Sequence, residues 1–299
     1  MLMAEQEIGD LLADPEVLKK HNIGVYSVSG VTVAMPESFA VSETEIKSSL
    51  NSKIVRRTGV IKKILSWMIN GGNPIAIKNA AKFYDGLVNK SQQTSPKLLI
   101  IGGGTIGVGC DAFYNSENIS TIASDIYASS NTNLVCDAHR LPLKDKSVDG
   151  IWIQAVLEHV EDPIMVVSEL FRVLKPGGIL YSEVPFMQGV HEGPYDFQRF
   201  SYNAHCRLLA DFERIDAGVV FGPGVTLLWS VRAYLASIFG NRYVGYLLTL
   251  PFFWLRFTDK LIPAERAFDN CGATYFLGER GEKPATKKFI AQENYIGMQ

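Results

Sequence analysis

The chain has 299 residues, 47% of them apolar and 20% charged, with a formal net charge of −2 at pH 7. This is the balance of an ordinary soluble domain with a sizeable core, and it excludes wholesale disorder. No global basic field exists to hold a polyanion such as tRNA or DNA, so no nucleic-acid partner is expected. The four cysteines, Cys110, Cys136, Cys206 and Cys271, form no CxxC pair. That excludes a zinc ribbon or a thioredoxin-like motif, and no metal is expected. The opening MLMAEQEIGDLLADPE is acidic and shows no basic-then-apolar leader, so a cytoplasmic location is expected.

Residues 1–95 show no chemical motif and read as an N-terminal extension that packs on, or lids, the domain after it. NIGVYSVSGVTVAMPES predicts two short strands about a turn at Ser29-Gly30. VIKKILSWMI predicts a helix with Val60, Ile61, Ile64, Leu65 and Met68 on its apolar face. NPIAIKNAAKFYDGLVNK predicts another, started by Asn73-Pro74, with Ile77, Ala80, Ala81, Tyr84, Leu87 and Val88 apolar. SQQTSPK is a polar linker.

From Lys97 strands alternate with helices. KLLIIG, STIASD, NLVC, VDGIWIQA and ILYSEVPF read as five strands, and FERIDAGVVF and ATYFLGER as two more. EDPIMVVSELFRVLKPGG reads as a helix capped by Asp162, with Pro163 in its first turn and Pro176-Gly177-Gly178 as its stop. This alternation implies an α/β domain with a parallel, doubly wound sheet. The parts divide as 1–95, a core at 96–221, an apolar helical insertion at 222–270, and 271–299 as the last core strand and tail. No uncharged run in the insertion reaches the ~20 residues that cross a bilayer, since Arg232, Arg242 and Arg256 interrupt it. It reads either as a buried helical piece or as an exposed apolar surface. The latter would meet a lipid, a second copy, or a membrane touched peripherally through 222–262. The oligomeric state is left open.

The chemistry begins at GGGTIGVG. Gly102, Gly104 and Gly107 satisfy G-x-G-x-x-G, which suits a nicotinamide dinucleotide as well as an adenosyl cofactor. Asp125, at the end of the second core strand, suits ribose hydroxyls in either case. Asp137, at the end of the third, can accept from an adenine amino group.

The ordered set of the glycine loop, Asp125, DAHRLP, LEHVEDP and LKPGG resembles the class I S-adenosylmethionine-dependent methyltransferases, closely over Lys97 to Phe186 and more loosely to Arg280. The resemblance implies a Rossmann-like, seven-stranded, mostly parallel sheet with helices on both faces and an antiparallel last strand. It implies S-adenosyl-L-methionine as cofactor. Gly102, Gly103 and Gly104, with Thr105 and Gly107, would meet its methionine and ribose portions. Asp125 and Ile126 would lie at the ribose, Asp137 and the backbone of Ala138 at the adenine, and Gln154 at the methionine end. One position departs from the family: Ile100 stands where an acid often helps to fix the methionine amino group.

Two loops offer groups for catalysis. His159 lies in the first. His191, Glu192, Tyr195, Asp196 and Arg199 crowd into the second. His191, its tautomer fixed by Asp196, is the first choice of base; His159 is a second candidate, against the bland alternative that it caps or packs. Tyr195 and Arg199 are candidates for holding the acceptor, against the bland alternative that Asp196 and Arg199 form an ion pair shaping their own loop. The expected activity is methyl transfer to a small-molecule, saccharide or lipid-linked acceptor, with oxygen preferred. A non-catalytic, methyltransferase-like binding or scaffold protein is the alternative, followed by a nicotinamide-dependent oxidoreductase and an RNA methyltransferase.

Overall fold

A computed structural model describes residues 2–36, 38, 42–51, 72–90 and 95–284. The helix expected in VIKKILSWMI and most of the linker SQQTSPK lie outside the described residues. Among the described residues nine strands form one sheet: β1 (Ile23–Val28), β2 (Val31–Pro36), β3 (Lys97–Ile101), β4 (Ser120–Asp125), β5 (Leu134–Cys136), β6 (Val148–Gln154), β7 (Leu174–Pro185), β8 (Glu213–Phe221) and β9 (Ala273–Glu279). Their order is β1-β2-β5-β4-β3-β6-β7-β9-β8. From β2 to β7 all neighbours are parallel, and β9 runs antiparallel between β7 and β8. The seven strands from β5 to β8 are the expected core sheet.

The other two come from the N-terminal hairpin, which corrects the picture of an extension that merely packs on or lids the core. Ser29 and Gly30 take φ of 53° and 85°, as a two-residue hairpin turn requires. β2 then pairs Thr32, Val33 and Ala34 with Leu134, Val135 and Cys136. β5 is only three residues long, and this pairing satisfies backbone groups that an open edge would leave bare.

Strand β3 is covered on both faces, which is why it reads as an unbroken apolar run. Leu98 and Ile100 meet Phe83, Phe113, Trp152 and Tyr181 on one side. Leu99 and Ile101 meet Ile122, Ile151, Ile153 and Leu170 on the other. The first face is closed by helix Pro74–Lys90, whose buried stripe is Ala76, Ala80, Phe83 and Leu87. Ile77 leaves that stripe and stands exposed. It is turned about 100° from Ala76 on the helix, and the 76-80-83-87 spacing is the one that keeps facing the sheet. Helix Pro163–Val173 closes the second face. Asp162 accepts from the Ile164 and Met165 amides at its start, and Pro163 occupies its first turn. It ends at Val173, before the expected stop. Pro176-Gly177-Gly178 instead lies at the beginning of β7, in an irregular stretch where Gly177 has φ 78°.

The insertion folds as helix Pro223–Phe239, helix Arg242–Thr249 and a 3₁₀ run over Leu250–Leu261. Asp259 fastens the run back to the Gly224 and Val225 amides. Val225, Leu228 and Trp229 form a small separate core. Beyond it, Tyr234, Ile238, Phe239, Leu247, Trp254 and others stay exposed, up to 82% at Leu261. No described helix is long and apolar enough to cross a membrane.

Candidate functional site

The carboxyl ends of the parallel strands lie on one edge of the sheet, where ligands of open α/β sheets bind. Along that edge the tips of β5, β4, β3, β6 and β7 present Asp137, Asp125, Gly102–Gly104, Gln154 and Glu183, in that spatial order.

The glycine turn is braced from beneath. The Gly103 amide donates to the Ser124 carbonyl at 2.9 Å, and the Gly104 amide to Asp125 Oδ2 at 2.9 Å. Tyr114 and Ser129 hydroxyls hold the Gly103 and Gly104 carbonyls. Gly102 has φ 75°, and a Cβ there would meet Val156 at 2.5 Å. Cβ atoms at Gly104 and Gly107 would meet Asp125 Oδ2 at 2.6 Å and Gln154 Oε1 at 2.3 Å. The turn is therefore a cradle that only a bare backbone fills. Thr105 is exposed and Ile126 half exposed beside it. The following helix, Asp111–Asn115, is five residues long and starts nine residues after Gly102. The glycines therefore lack the helix N-terminus on which a dinucleotide's pyrophosphate rests.

Asp125 is partly buried. Burial pushes its carboxyl upward, against the pull of the Gly104, Tyr127 and Ile126 amides. Asp137 Oδ1 accepts from the amide of His139 and from its Nδ1, at 2.9 and 2.7 Å. His139 Nε2 in turn accepts from the Asp162 amide. This chain ties the adenine-side loop, with the buried Ala138, to the start of helix Pro163–Val173. His139 was not singled out from sequence, although its place two residues after Asp137 in DAHRLP was the signal available.

Ile100 is 4% exposed and belongs to the core under helix Pro74–Lys90. No acid enters from that position. A different one lies nearby: Glu183, buried at the tip of β7, accepts from Tyr181 Oη (2.8 Å), Gln154 Nε2 (3.2 Å) and Asn73 Nδ2 (3.0 Å). Burial pushes its carboxyl upward while these three donors pull it back. Asn73 also caps helix Pro74–Lys90 through the Ala76 amide. Gln154 Oε1 receives Trp152 Nε1 at 3.4 Å and the Cys110 thiol at 3.7 Å. That thiol is pushed up to about 12 by burial, so it is no nucleophile. Glu183 was missed because an acid inside ILYSEVPF reads as strand interior. The one hint was its spacing of two from Tyr181, which puts both on one face.

After Gln154 the chain turns sharply. Ala155 adopts φ 54° and donates its amide to the Glu183 carbonyl. A non-glycine residue in the left-handed region at a strand tip marks a constrained site. This turn sets Glu158 and His159 opposite the loop after β7. His159 Nδ1 lies 2.8 Å from the Tyr195 carbonyl, which can only accept, so this nitrogen carries the proton. Its Nε2 stands 3.1 Å from Nε2 of His191, and the rings meet edge to face. The two histidine candidates are thus brought together. Asp196 Oδ2 receives the His191 amide at 2.9 Å and lies 3.4 Å from its Nδ1.

Asp196 is bound chiefly to Arg199, which holds it down to about 2. The Arg199 guanidinium also donates to the carbonyls of Gln188, Gly189 and Gln198. All its donor directions serve its own loop, as the ion-pair alternative has it, and not a ligand. The Tyr195 ring is exposed. Glu158 is fully buried behind the histidines, and neither of its carboxylate oxygens has a hydrogen-bond partner. Burial pushes it up to about 8. A separate cavity of about 550 Å³, lined by Gly9, Leu12, Asp14 and Lys144 among others, shares no residue with these tips.

Residues 110–182 match a family model described as a methyltransferase domain. The chain is 42% identical over 65 residues to a malonyl-[acyl-carrier protein] O-methyltransferase of Marinomonas sp. (strain MWYL1), covering 21% of this chain and 24% of that protein. It is 30% identical over 108 residues to a ubiquinone/menaquinone biosynthesis C-methyltransferase of Desulfotalea psychrophila (strain LSv54 / DSM 12343), covering 35% and 43%. The chain therefore spans less than half the length of these curated relatives. Among solved structures, a Haemonchus contortus phosphoethanolamine N-methyltransferase 2 in complex with S-adenosyl-L-methionine aligns at a TM-score of 0.46 and 16% identity, over 84% of this chain and 62% of that one.

Proposed function

We propose that the chain carries a class I S-adenosylmethionine-dependent methyltransferase domain and transfers a methyl group from this cofactor to an oxygen of a small-molecule, saccharide or lipid-linked acceptor. One observation carries the reading. Asp137, Asp125, the bare Gly102–Gly104 turn, Gln154 and Glu183 stand in a row on successive strand tips. With neighbouring strands about 4.8 Å apart, the row is roughly 19 Å long and fits an extended adenosyl ligand.

The residues fit the cofactor: bare backbone at Gly104 and Gly107 lets Asp125 and Gln154 close in on the turn, so an acid and an amide stand beside the main chain that the cofactor would lie against. Asp137 and the Ala138 backbone hold the adenine, Asp125 holds the ribose hydroxyls, and the Gly102–Gly104 backbone flanks the methionine portion. Glu183, acting through Gln154, supplies the negative charge that Ile100 does not. When bound, the cofactor supplies an electrophilic methyl group on a sulfonium. The protein's further task is to bring the nucleophile into line with it and to receive the proton of a hydroxyl acceptor. The His159–His191 pair, next along the β6 and β7 loops, receives that acceptor.

The outer face of the insertion supports an acceptor with a lipid-like portion. Its exposed aromatic and aliphatic side chains are interleaved with Arg232, Arg242, Arg256 and Lys260, while Asp259, the one acid within 222–262, is turned inward onto backbone amides. That pattern suits an anionic bilayer surface. Flotation with phosphatidylcholine vesicles, with and without phosphatidylserine, tests it. Binding that needs the anionic lipid is expected, and full recovery in the soluble fraction in both cases refutes it.

Calorimetric titration with S-adenosylmethionine, S-adenosylhomocysteine and NADH tests the cofactor. Both sulfur ligands are expected to bind at one per chain. Binding of NADH alone refutes the reading, and cofactor binding without turnover on any acceptor favours the non-catalytic alternative.

A further inference from the structure

Three side-chain atoms able to ligate a cation converge at the mouth of the cleft. Nε2 of His159 and Nε2 of His191 are 3.1 Å apart, and Glu158 Oε1 lies 3.7 and 3.8 Å from them. Since His159 carries its proton on Nδ1, its Nε2 presents a lone pair. Neither neutral tautomer of His191 satisfies both of its ring nitrogens, although the Nε2–H form makes the 3.1 Å contact a hydrogen bond. With the proton on Nδ1, toward Asp196, two lone pairs face each other at 3.1 Å. With the proton on Nε2, a lone pair faces the Asp196 carboxylate at 3.4 Å instead. Behind both rings stands a fully buried carboxylate with no hydrogen-bond partner on either oxygen. Buried polar groups are ordinarily paired, so an orphaned carboxylate aimed at two imidazoles points to a missing cation.

The spacing suits an ion. Ligands held 2.0–2.1 Å from a tetrahedral zinc stand about 3.3–3.4 Å from one another. All three donor atoms here lie within 4.8 Å of each other. The outer partners are also in place. Metal-binding histidines usually give their second N–H to a carbonyl or a carboxylate, which fixes the ring and its tautomer. His159 has the Tyr195 carbonyl for this, and His191 has Asp196, itself clamped by Arg199.

We propose that Glu158, His159 and His191 bind one divalent transition-metal ion of the zinc class, with a remaining coordination position open to an oxygen of the acceptor. Two imidazoles and one carboxylate favour Zn²⁺, Co²⁺ or Fe²⁺ over Mg²⁺, which prefers all-oxygen ligands. The ion-binding half stands on this geometry. The acceptor half rests on the methyl-transfer reading, where a bound cation would lower the pKa of a coordinated hydroxyl so that its proton passes to solvent water and not to the histidines.

The test uses the full chain, stripped of metal by a chelator and titrated calorimetrically with Zn²⁺, with Co²⁺ binding followed in the visible spectrum. One ion per chain is expected, with Mg²⁺ at least 100-fold weaker. Glu158→Gln and His191→Ala are each expected to weaken Zn²⁺ at least 100-fold, and Asp196→Asn about 10-fold. The exposed His21→Ala variant is expected to change nothing. Glu158→Gln preserves volume, so it decides the matter if the histidine variant does not fold. No stoichiometric ion in the wild type, or unchanged affinity in Glu158→Gln, overturns the proposal and leaves a proton shared between the histidines. S-adenosylmethionine binding is titrated on the same samples. Cofactor bound without metal refutes this inference alone, and metal bound without cofactor refutes the proposed function alone.

Discussion

Gly104→Ala adds one methyl group at the most informative point of the cleft. An ideal Cβ there stands 2.6 Å from Asp125 Oδ2, and the backbone is outside the left-handed region, so the alanine acts through contact and not through dihedral strain. Restoring an ordinary van der Waals distance requires the carboxylate to retreat by most of an ångström. That breaks its 2.9 Å hydrogen bond from the Gly104 amide and swings the acid away from the ribose position. A hydrogen bond to a charged group contributes about 1.5–3 kcal/mol. Loss of one such bond to the ribose weakens S-adenosylmethionine binding by about 10- to 150-fold. Loss of the internal bond lowers the melting temperature of the free protein by several degrees. Titration calorimetry and thermal unfolding read the two effects separately. Gly9→Ala is the control with opposite sign. It lies in helix Leu2–Leu11 with nothing within 4 Å of its Cβ, so it should stabilise by about 0.5–1 kcal/mol. A Gly104→Ala protein that binds the cofactor within twofold of wild type would refute the assignment of Asp125.

Glu183→Gln turns an amide N–H₂ toward one of three donors. It should cost about 1–3 kcal/mol of stability and weaken the cofactor about tenfold or more, measured in the same two assays; unchanged affinity would remove Glu183 from the methionine end. His205 is buried between Ser182 and Thr274, and burial pushes its imidazole down to about 3. The unfolded chain gains a proton near pH 6.5 that the native state refuses, so this stabilisation is complete above pH 6.5 and is lost as the pH falls toward 3. The difference amounts to about 5 kcal/mol. Urea unfolding between pH 4 and 7 should show this slope, and His205→Asn should flatten it; an unaltered slope in the variant would refute the cause. Ala155→Gly removes a left-handed alanine and should raise stability by up to about 1 kcal/mol in thermal unfolding, while loosening the turn that presents Glu158 and His159. A loss of stability there would mean that the alanine is not strained.

What was legible in the sequence was local. Asp125 and Asp137 end short apolar strands, and Gly102–Gly104 follow another, so their gathering on one edge follows from strand-helix alternation alone. Ser29-Gly30 announced its hairpin through turn chemistry. The pairing of that hairpin with β5 was hidden, because it joins residues 32–34 to residues 134–136 and no local pattern encodes a distant edge. Glu158 was hidden for a related reason. In LEHVEDP it looks like a solvated neighbour of His159, and its burial comes from the loop after β7, where the Phe197 and Gln198 amides bind its carbonyl. Arg199 looked like a ligand-binding fork because its five donors were countable from sequence, whereas the carbonyls that occupy them belong to loop geometry. His191 was chosen as a base oriented by Asp196, with His159 a separate candidate, and the contact between the two histidines depends on two loops 32 residues apart.

The β2–β5 pairing also sets an order of events during synthesis. β2 leaves the ribosome early, yet its parallel partner is about 100 residues further along the chain, a delay of roughly 5–20 s at ordinary elongation rates. Through that interval the hairpin Ile23–Pro36 is a two-stranded unit without its neighbour, and such a unit is at best marginally stable alone. The buried side chains of β2, Val31, Val33 and Met35 among them, share a core with Ile46, which is made soon after them, and with Ala128 and Val135, which are made much later. The first strands made are thus among the last to be secured. Conditions that slow elongation between residues 36 and 134 should expose this hairpin to chaperones or to a second nascent copy for longest.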